Sequence, residues 1–135
     1  ELPRQLAPRT YHGRILIVDD NQVNCTVLSR RLEREGHTTA VAHGGLTALA
    51  KLSSRPFDLV LLDIVMPELD GHTVLARMKT DDTLKHIPVI MISGHGTVDI
   101  TVKAMKAGAA DFIEKPLTLD RLSLAVQTAL RRAKG

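Results

Sequence analysis

The fold of this chain is indicated first by residues 59–71, which read Leu-Val-Leu-Leu-Asp-Ile-Val-Met-Pro-Glu-Leu-Asp-Gly. The four apolar residues 59–62 are typical of a strand in a parallel sheet that helices cover on both faces. Asp63 ends this apolar run, and the Pro- and Gly-containing segment after it favours a turn. The stretch therefore predicts a buried strand that delivers a carboxylate to one edge of a sheet.

Similar strands are expected on either side of this stretch. Apolar runs at residues 15–18, 89–92 and 112–113 indicate three further buried strands, and the more polar residues 38–42 indicate an edge strand. Segments of helical period lie between these runs. Strict alternation of five strands and five helices predicts right-handed βαβ crossovers and a doubly wound parallel α/β sheet.

The five predicted helices are recognised by the spacing of their apolar residues. Cys25, Leu28 and Leu32 predict a helix at residues 21–35 with one buried stripe, and Gly36 ends it. The second and third helices are expected at residues 46–52 and around residues 74–78. The fifth helix, at residues 118–132, has an apolar face formed by Leu119, Leu122, Val126, Ala129 and Leu130.

The fourth helix is expected to end at Gly108 and to carry apolar residues on two faces. We expect Val98, Val102 and Met105 to form its buried stripe. Its outer face would then consist of Ile100, Ala104 and Ala107. An apolar outer face of this kind suits a contact with a partner or with a second copy of the chain, although alanine is also simply a good helix former.

Composition limits the class of protein. A chain of 135 residues with 44% hydrophobic and 24% charged residues corresponds to one globular domain, and it disfavours disorder or a disulfide scaffold. No apolar run approaches the roughly 18 residues of a membrane span. The single cysteine, Cys25, fits a reducing compartment, so the cytoplasm is the expected location. We expect a linker or flank at residues 1–13, one domain at residues 14–132 and a tail at residues 133–135.

The sequence argues against direct binding of nucleic acid and against a zinc site. The net charge is only +3, and three aromatic residues offer little surface for base stacking, so direct binding of nucleic acid by this segment is not expected. The six histidines lack the paired spacing of a zinc site.

Polar side chains follow four of the predicted strands. They are Asp19 and Asp20 after the first strand, Asp63 after the third, Ser93 after the fourth and Lys115 after the fifth. Each has an ordinary structural explanation, such as a helix cap or a solvated loop residue. Together, however, they meet at the edge where doubly wound sheets bind ligands. Three carboxylates and one ammonium leave two net negative charges, and all-oxygen ligands favour Mg²⁺ over zinc or copper.

These residues resemble the response-regulator receiver domain of two-component signalling, and in particular its chemotaxis-regulator-like members. The resemblance extends from Gly13 to about Arg132. It implies a flavodoxin-like sheet with strand order 2-1-3-4-5. It depends on Ile-Leu-Ile-Val-Asp-Asp at 15–20, Leu-Leu-Asp-Ile-Val-Met-Pro-Glu-Leu-Asp-Gly at 61–71, Ile-Ser-Gly at 92–94 and Phe-Ile-Glu-Lys-Pro at 112–116.

The resemblance also implies a reaction. Asp63 would be the phosphoacceptor, taking a phosphoryl group from a phosphohistidine of a histidine kinase or a histidine phosphotransfer protein. Asp20, Asp63 and the backbone carbonyl of Val65 would ligate Mg²⁺, and Asp19 would assist through water. Such a domain is a signalling module of a phosphorelay, and it catalyses only its own phosphorylation and dephosphorylation.

The remaining roles implied by the resemblance concern switching and phosphoryl lifetime. Ser93 and Lys115 would contact the phosphoryl group, and Phe112 would be the switch aromatic that turns inward. Val65 and His95 occupy two positions that tune the lifetime. Val65 offers no polar group to orient water, whereas His95 would either shield the site or place a water there.

Two backbone features are also expected. The resemblance implies a cis peptide bond between Lys115 and Pro116, which an X-Pro sequence alone does not favour. At Gly71, the turn after the phosphoacceptor suggests a positive backbone angle, and the alternative is a merely flexible glycine.

The sequence gives weaker indications of the output surface and of the subfamily of receivers. The family commonly uses the fourth helix, fifth strand and fifth helix for output, so a homodimer through this face is expected. The chain is either a stand-alone receiver or one excised from a hybrid kinase or longer regulator. Residues 19–24 resemble receivers of hybrid kinases or cyclases, whereas residues 105–116 resemble those of transcriptional regulators.

Three alternative functions remain in view. A phosphorylation-independent interaction module would share the fold, but retention of the whole set of site residues argues against it. An aspartate-nucleophile phosphatase of the haloacid-dehalogenase type would need a second Asp at the position of Val65. A flavin carrier would need few negative charges in the turn after the first strand, where this chain has Asp19 and Asp20.

Overall fold

A single parallel sheet organises the computed structural model, which describes residues 10–94 and 97–134. Its strands are β1 (Arg14–Val18), β2 (Thr38–Ala42), β3 (Leu59–Asp63), β4 (Val89–Ser93) and β5 (Asp111–Glu114). Their spatial order is β2-β1-β3-β4-β5, which confirms the expected doubly wound topology with β2 at an edge.

Five helices connect these strands. They are α1 (Gln22–Arg34), α2 (Gly45–Ser54), α3 (Gly71–Lys79), α4 (Val98–Lys106) and α5 (Leu119–Lys134). Among the described residues, no helix is long and apolar enough to cross a membrane.

The strands are covered on both faces, as their continuous apolar sequences predicted. Alternate residues of each strand point to opposite sides, so Ile15 and Ile17 pack with α1 and α5. Leu16 and Val18 enter the second core, which contains residues of α2, α3 and α4. Burial of both faces fixes the strand register, because a one-residue slip would exchange the two cores.

The register aligns the carboxyl ends of the strands. In β3 and β4, Asp63 lies opposite Ile92, and in β4 and β5, Ser93 lies opposite Glu114. The residue that follows β5, Lys115, therefore lies at the same edge as Asp63 and Ser93.

Helices α1 and α5 confirm their predicted faces. In α1 the side chain of Asn21 accepts a hydrogen bond from the Asn24 amide, and Gly36 follows the helix with a φ of 93°. Such a left-handed residue after a helix favours glycine. In α5 the buried residues are Leu122, Ala125, Val126, Ala129 and Leu130.

Helix α4 corrects the predicted face. The expected buried stripe is exposed, with Val98 79%, Val102 44% and Met105 45% accessible. Ala104 is fully buried, and Ile100 is partly buried against the core. The prediction failed because both faces of this helix are apolar, and the face with the small Ala104 is the one that approaches the sheet.

The predicted flank lies mostly in residues 1–9, outside the described residues. Its last residues contact the domain. The Tyr11 amide donates to Gln127 Oε1 at 2.9 Å, and Gln127 Nε2 donates to the Tyr11 carbonyl at 2.8 Å. The Gly13 amide donates to His37 Nδ1 at 3.2 Å. Residues 11–13 are thus attached to α5 and to the start of β2.

Candidate functional site

Three carboxylates form a cluster at the carboxyl edge of the sheet. One oxygen from each of Asp19, Asp20 and Asp63 lies within 4.8 Å of the others. Asp19 and Asp63 are only 5% and 6% exposed, whereas Asp20 is exposed. Buried carboxylates this close repel one another, so the cluster is stable as charged groups only with cationic partners.

Lys115 supplies a positive charge to this cluster. Its Nζ lies 3.5 Å from Asp63 Oδ2 and 3.8 Å from Asp19 Oδ2. Its backbone amide donates to the Ser93 carbonyl at 2.8 Å, and the bond to Pro116 is cis, as the resemblance implied. Burial raises the pKa of the Asp63 carboxyl; Lys115 opposes that shift and the charge of Asp19 adds to it.

The other predicted site residues lie around this cluster at different depths. Ser93 ends β4 and is 2% exposed, and Phe112 in β5 is partly buried against the core that includes α4. Val65 is 64% exposed, and its amide donates to Asp63 Oδ1 at 3.4 Å. The structure thus brings Ser93 and Val65 to the same rim as Asp63, while His95 lies outside the described residues.

Gly71 is required by close approach and not by its backbone angle, which corrects the prediction. A Cβ atom at this position would lie 2.5 Å from the Asp63 carbonyl oxygen and 2.8 Å from Ile64 Cα. The positive φ in this loop belongs to Glu68, at 72°. Gly71 therefore lets α3 begin directly against the backbone of Asp63.

Contacts around Asp19 were not predicted from the sequence. Its carboxylate accepts from the Asn21 amide at 2.8 Å and from Asn24 Nδ2 at 3.4 Å, and its carbonyl accepts from Cys25 Sγ at 3.3 Å. Burial and the charge of Asp19 raise the pKa of the Cys25 thiol to about 11, which keeps it a donor. The closeness of Asn24 and Cys25 to Asp19 in sequence was a usable signal.

His43 also contacts Asp19, through Nδ1 at 3.1 Å from the Asp19 carbonyl oxygen. No local signal points to this contact, because 24 residues separate the two positions. It follows only from the pairing of β1 with β2, in which Val18 lies opposite Ala42.

A cavity of about 560 Å³ opens beside the cluster, between α1 and the segment after β5. Its lining is mostly apolar, with the charged groups at the end nearest the site. The lining includes Asp19, Asn24, Val27, Leu28, Lys115, Pro116, Leu117 and Leu119.

Comparison with known proteins agrees with this arrangement. A sequence model of the response regulator receiver domain matches residues 15–127. The transcriptional regulatory protein ZraR of Klebsiella oxytoca is 42% identical over 120 residues, which are 89% of this chain and 27% of ZraR. The response regulator PleD of Caulobacter vibrioides is 38% identical over 105 residues, 78% of this chain and 23% of PleD. The chain thus spans about a quarter of the length of these curated relatives.

Solved structures of response regulators also superpose on this chain. A crystal structure of NtrX from Brucella abortus superposes with a TM-score of 0.85 at 40% identity, covering 92% of this chain and 28% of that chain. A CheY-like response regulator receiver domain protein from Methanospirillum hungatei superposes with a TM-score of 0.85 at 28% identity, covering 92% of this chain and 98% of that one. With its sheet order, its acidic cluster and a family match over residues 15–127, the chain belongs to the response regulator receiver domain family.

Proposed function

We propose that this signalling domain accepts a phosphoryl group on Asp63. The observation that carries the proposal is the placement of the buried Asp63 carboxylate beside Asp19, Asp20 and the Lys115 ammonium. Phosphoryl transfer spreads negative charge over the equatorial oxygens, so catalysis consists mainly of positioning and charge neutralisation.

The transfer itself is a displacement at phosphorus. A carboxylate oxygen of Asp63 forms a P–O bond as the P–N bond to the partner's imidazole breaks, and the imidazole leaves with the electron pair of that bond. Lys115 Nζ, 3.5 Å from Asp63 Oδ2, is placed to attract the phosphoryl oxygens as they arrive. The product is an acyl phosphate on Asp63.

The acidic cluster fits Mg²⁺. It offers three carboxylate oxygens within 4.8 Å of one another, and oxygen ligands suit a hard divalent cation. Asp19, Asp20, Asp63 and the Val65 carbonyl are the groups that would hold it. When bound, Mg²⁺ supplies positive charge that offsets the charge of the phosphoryl oxygens.

Switching is proposed to start from Ser93. A phosphoryl group on Asp63 would accept a hydrogen bond from the Ser93 hydroxyl at the end of the neighbouring strand, and this would draw in the segment before α4. Phe112 would then turn further inward toward the core that contains α4. Val65 and His95 would set how easily water reaches the acyl phosphate.

The phosphodonor is proposed to be a histidine kinase or a histidine phosphotransfer protein, because receiver domains of response regulators interact with histidine kinases. Val23 and Val27 on α1 are 70% and 47% exposed, and Val27 also lines the cavity beside the acidic cluster. A partner that covers this part of α1 could present its imidazole to Asp63.

Output is proposed to use the surface formed by α4, β5 and α5, including a contact between two copies. The exposed apolar residues of this surface are Val98, Val102 and Met105 on α4 and Leu124 on α5. Of the outer-face residues that the sequence suggested, Ala107 is exposed, whereas Ala104 is buried and Ile100 is partly buried against the core.

Phosphoryl labelling with acetyl phosphate tests the proposed function. We expect the native chain to gain one phosphoryl adduct by intact mass when Mg²⁺ is present and none after chelation with EDTA. Asp63→Asn should abolish the adduct, whereas Asp82→Asn, at a carboxylate with 92% of its side chain exposed, should leave it unchanged. Labelling that persists in Asp63→Asn would remove Asp63 from the role.

One further measurement, together with the labelling itself, separates the alternatives. A phosphatase of the aspartate-nucleophile class would turn over small phosphate esters, and we expect no turnover because Val65 stands where such an enzyme needs its second Asp. An interaction module independent of phosphorylation would give no adduct under any of these conditions.

A further inference from the structure

The carbonyl oxygen of Asp19 is held by two side chains from different elements. Cys25 Sγ in α1 donates to it at 3.3 Å, and His43 Nδ1, just after β2, contacts it at 3.1 Å. This carbonyl belongs to the peptide that joins Asp19 to Asp20. Two of the three carboxylates of the acidic cluster are therefore attached to one peptide group whose oxygen is fixed from outside the strand.

The position of His43 just after β2 explains how its imidazole reaches the Asp19 carbonyl oxygen. The Asp19 amide donates to the Ala42 carbonyl at 3.0 Å, and β2 ends at that residue. Beyond this point the strand departs, and the His43 side chain meets the next carbonyl of the β1 chain in place of the regular ladder. Because a carbonyl oxygen only accepts, a hydrogen bond at this contact requires the proton of His43 to be on Nδ1.

The contact between Cys25 and His43 follows from the same arrangement. Cys25 Sγ and His43 Nδ1 are 4.0 Å apart, which is expected of two donors that share one acceptor. The two donors differ in burial, since Cys25 is 2% exposed and His43 is exposed. A change at His43 therefore removes a hydrogen bond without opening a cavity in the core.

We propose that His43 is a positioning residue for the acidic cluster: its Nδ1–H fixes the peptide between Asp19 and Asp20 and so holds the Asp20 carboxylate toward Asp63. The Asp20 carboxylate depends on this hydrogen bond more than the Asp19 carboxylate does. Asp20 is exposed, whereas Asp19 is buried and accepts hydrogen bonds from Asn21 and Asn24. The proposal rests on the proposed function, since its consequence is tighter binding of the cation that the cluster would hold.

Three substitutions at position 43 distinguish the loss of a hydrogen-bond donor at the δ position from a general loss of stability. His43→Ala removes the donor. His43→Asn keeps an N–H at the same distance along the side chain as Nδ1, and His43→Gln moves it one atom further. Thermal unfolding of the metal-free variants checks that they fold alike, which the exposure of His43 makes the expected result.

Magnesium binding is then measured by titrating MgCl₂ into each protein and following the backbone amide signals of Asp20 and Asp63 by NMR. His43→Ala and His43→Gln should need about three- to tenfold more Mg²⁺ for half-saturation, the range that loss of one hydrogen bond of about 1 kcal/mol gives. His43→Asn should stay within about twofold of the native chain. Equal half-saturation for the native chain and His43→Ala would overturn the proposal.

A second readout needs no metal. Long-range ¹H–¹⁵N spectra of the metal-free native chain should show the proton of neutral His43 on Nδ1, and a proton on Nε2 alone would also overturn the proposal. If the native chain shows no response to Mg²⁺ while this tautomer is present, the proposed function fails and the hydrogen bond to the Asp19 carbonyl stands.

Discussion

Helices α4 and α5 carry similar apolar spacing, yet only α5 buries it. In α5, Leu122 and Val126 are fully buried, whereas in α4 Val98 and Val102 are 79% and 44% exposed. The outer side of α5 carries charges such as Asp120, so only one of its faces can enter the core. In α4 both sides are apolar, and periodicity alone does not choose between them.

The difference shows that residue size decides where periodicity does not. Ala104 is fully buried at the interface of α4 with the rest of the domain. A small side chain allows the helix backbone to approach its neighbours closely, and the larger Val102 and Met105 then remain outside. The comparison predicts unequal losses of stability from similar substitutions in the two helices.

The largest contrast is expected from truncating an apolar side chain in each helix. Leu122→Ala in α5 should lower the free energy of unfolding by about 2–5 kcal/mol, because it leaves a cavity in the core. Val102→Ala in α4 should change it by less than about 0.5 kcal/mol, because that side chain is already in contact with water. Urea unfolding of both variants measures the difference. Equal losses in the two helices would contradict the exposed placement of the α4 stripe.

A smaller effect is expected from enlarging the buried side of α4. Ala104→Leu should cost about 1–3 kcal/mol in the free energy of unfolding, because the added atoms must displace a packed neighbour. Ala107→Leu, at the exposed C-cap residue that follows α4, is the control and should cost less than about 0.5 kcal/mol. If Ala104→Leu is tolerated as well as the control, close approach at Ala104 does not explain the orientation of α4.

The caps of the two helices are expected to differ less. Thr97 Oγ1 accepts from the Ile100 amide at 3.2 Å, and Thr118 Oγ1 accepts from the Arg121 amide at 3.1 Å. Thr118→Ala should cost about 1 kcal/mol of global stability, as loss of an N-cap usually does. Thr97→Ala should lower global stability less and instead speed amide hydrogen exchange within α4, because this helix buries fewer side chains.

Urea unfolding and hydrogen exchange by NMR measure the two effects, with Thr→Ser at each position as the control that retains the cap. Exchange in α4 that is unchanged in Thr97→Ala, together with a global loss equal to that of Thr118→Ala, would mean that the two helices are equally integrated in the fold.

Much of the fold could be predicted because its signals are local. Continuous apolar strands between amphipathic helices gave the doubly wound sheet, and Gly36 gave the end of α1. The face of α4 could not be predicted, because Ile100 and Ala104 compete with Val98 and Val102 for the core and only three-dimensional packing decides. The role of Gly71 is similar, since its close approach to the Asp63 carbonyl is a contact between segments.

The candidate site divides in the same way. The positions of Asp19, Asp20, Asp63, Ser93 and Lys115 could be predicted because each lies at the end of a strand or within two residues after it, and parallel strands bring those ends together. His43 could not, because its contact with Asp19 depends on where β2 stops relative to β1. The groups that carry charge and the local contacts of Asp19 with Asn21 and Asn24 are thus visible in the sequence, whereas the contact of His43 depends on the register of the sheet.

The smallest effect on stability is expected from a substitution in the exposed apolar stripe of α4. This substitution tests whether the stripe forms the proposed contact between two copies. Val102→Lys should change the free energy of unfolding by less than about 0.5 kcal/mol, because a lysine there remains in water. It should nevertheless prevent association of chains treated with beryllofluoride and Mg²⁺, because a charge would have to be buried in the α4–β5–α5 contact. Leu46→Lys, at an apolar residue of α2 that is 50% exposed, is the matched control and should leave association unchanged. Sedimentation velocity measures the association of each variant. If Val102→Lys associates as strongly as the native chain, the exposed apolar stripe of α4 is not part of the contact. Helix α4 would then differ from α5 only in which residues it packs against the core.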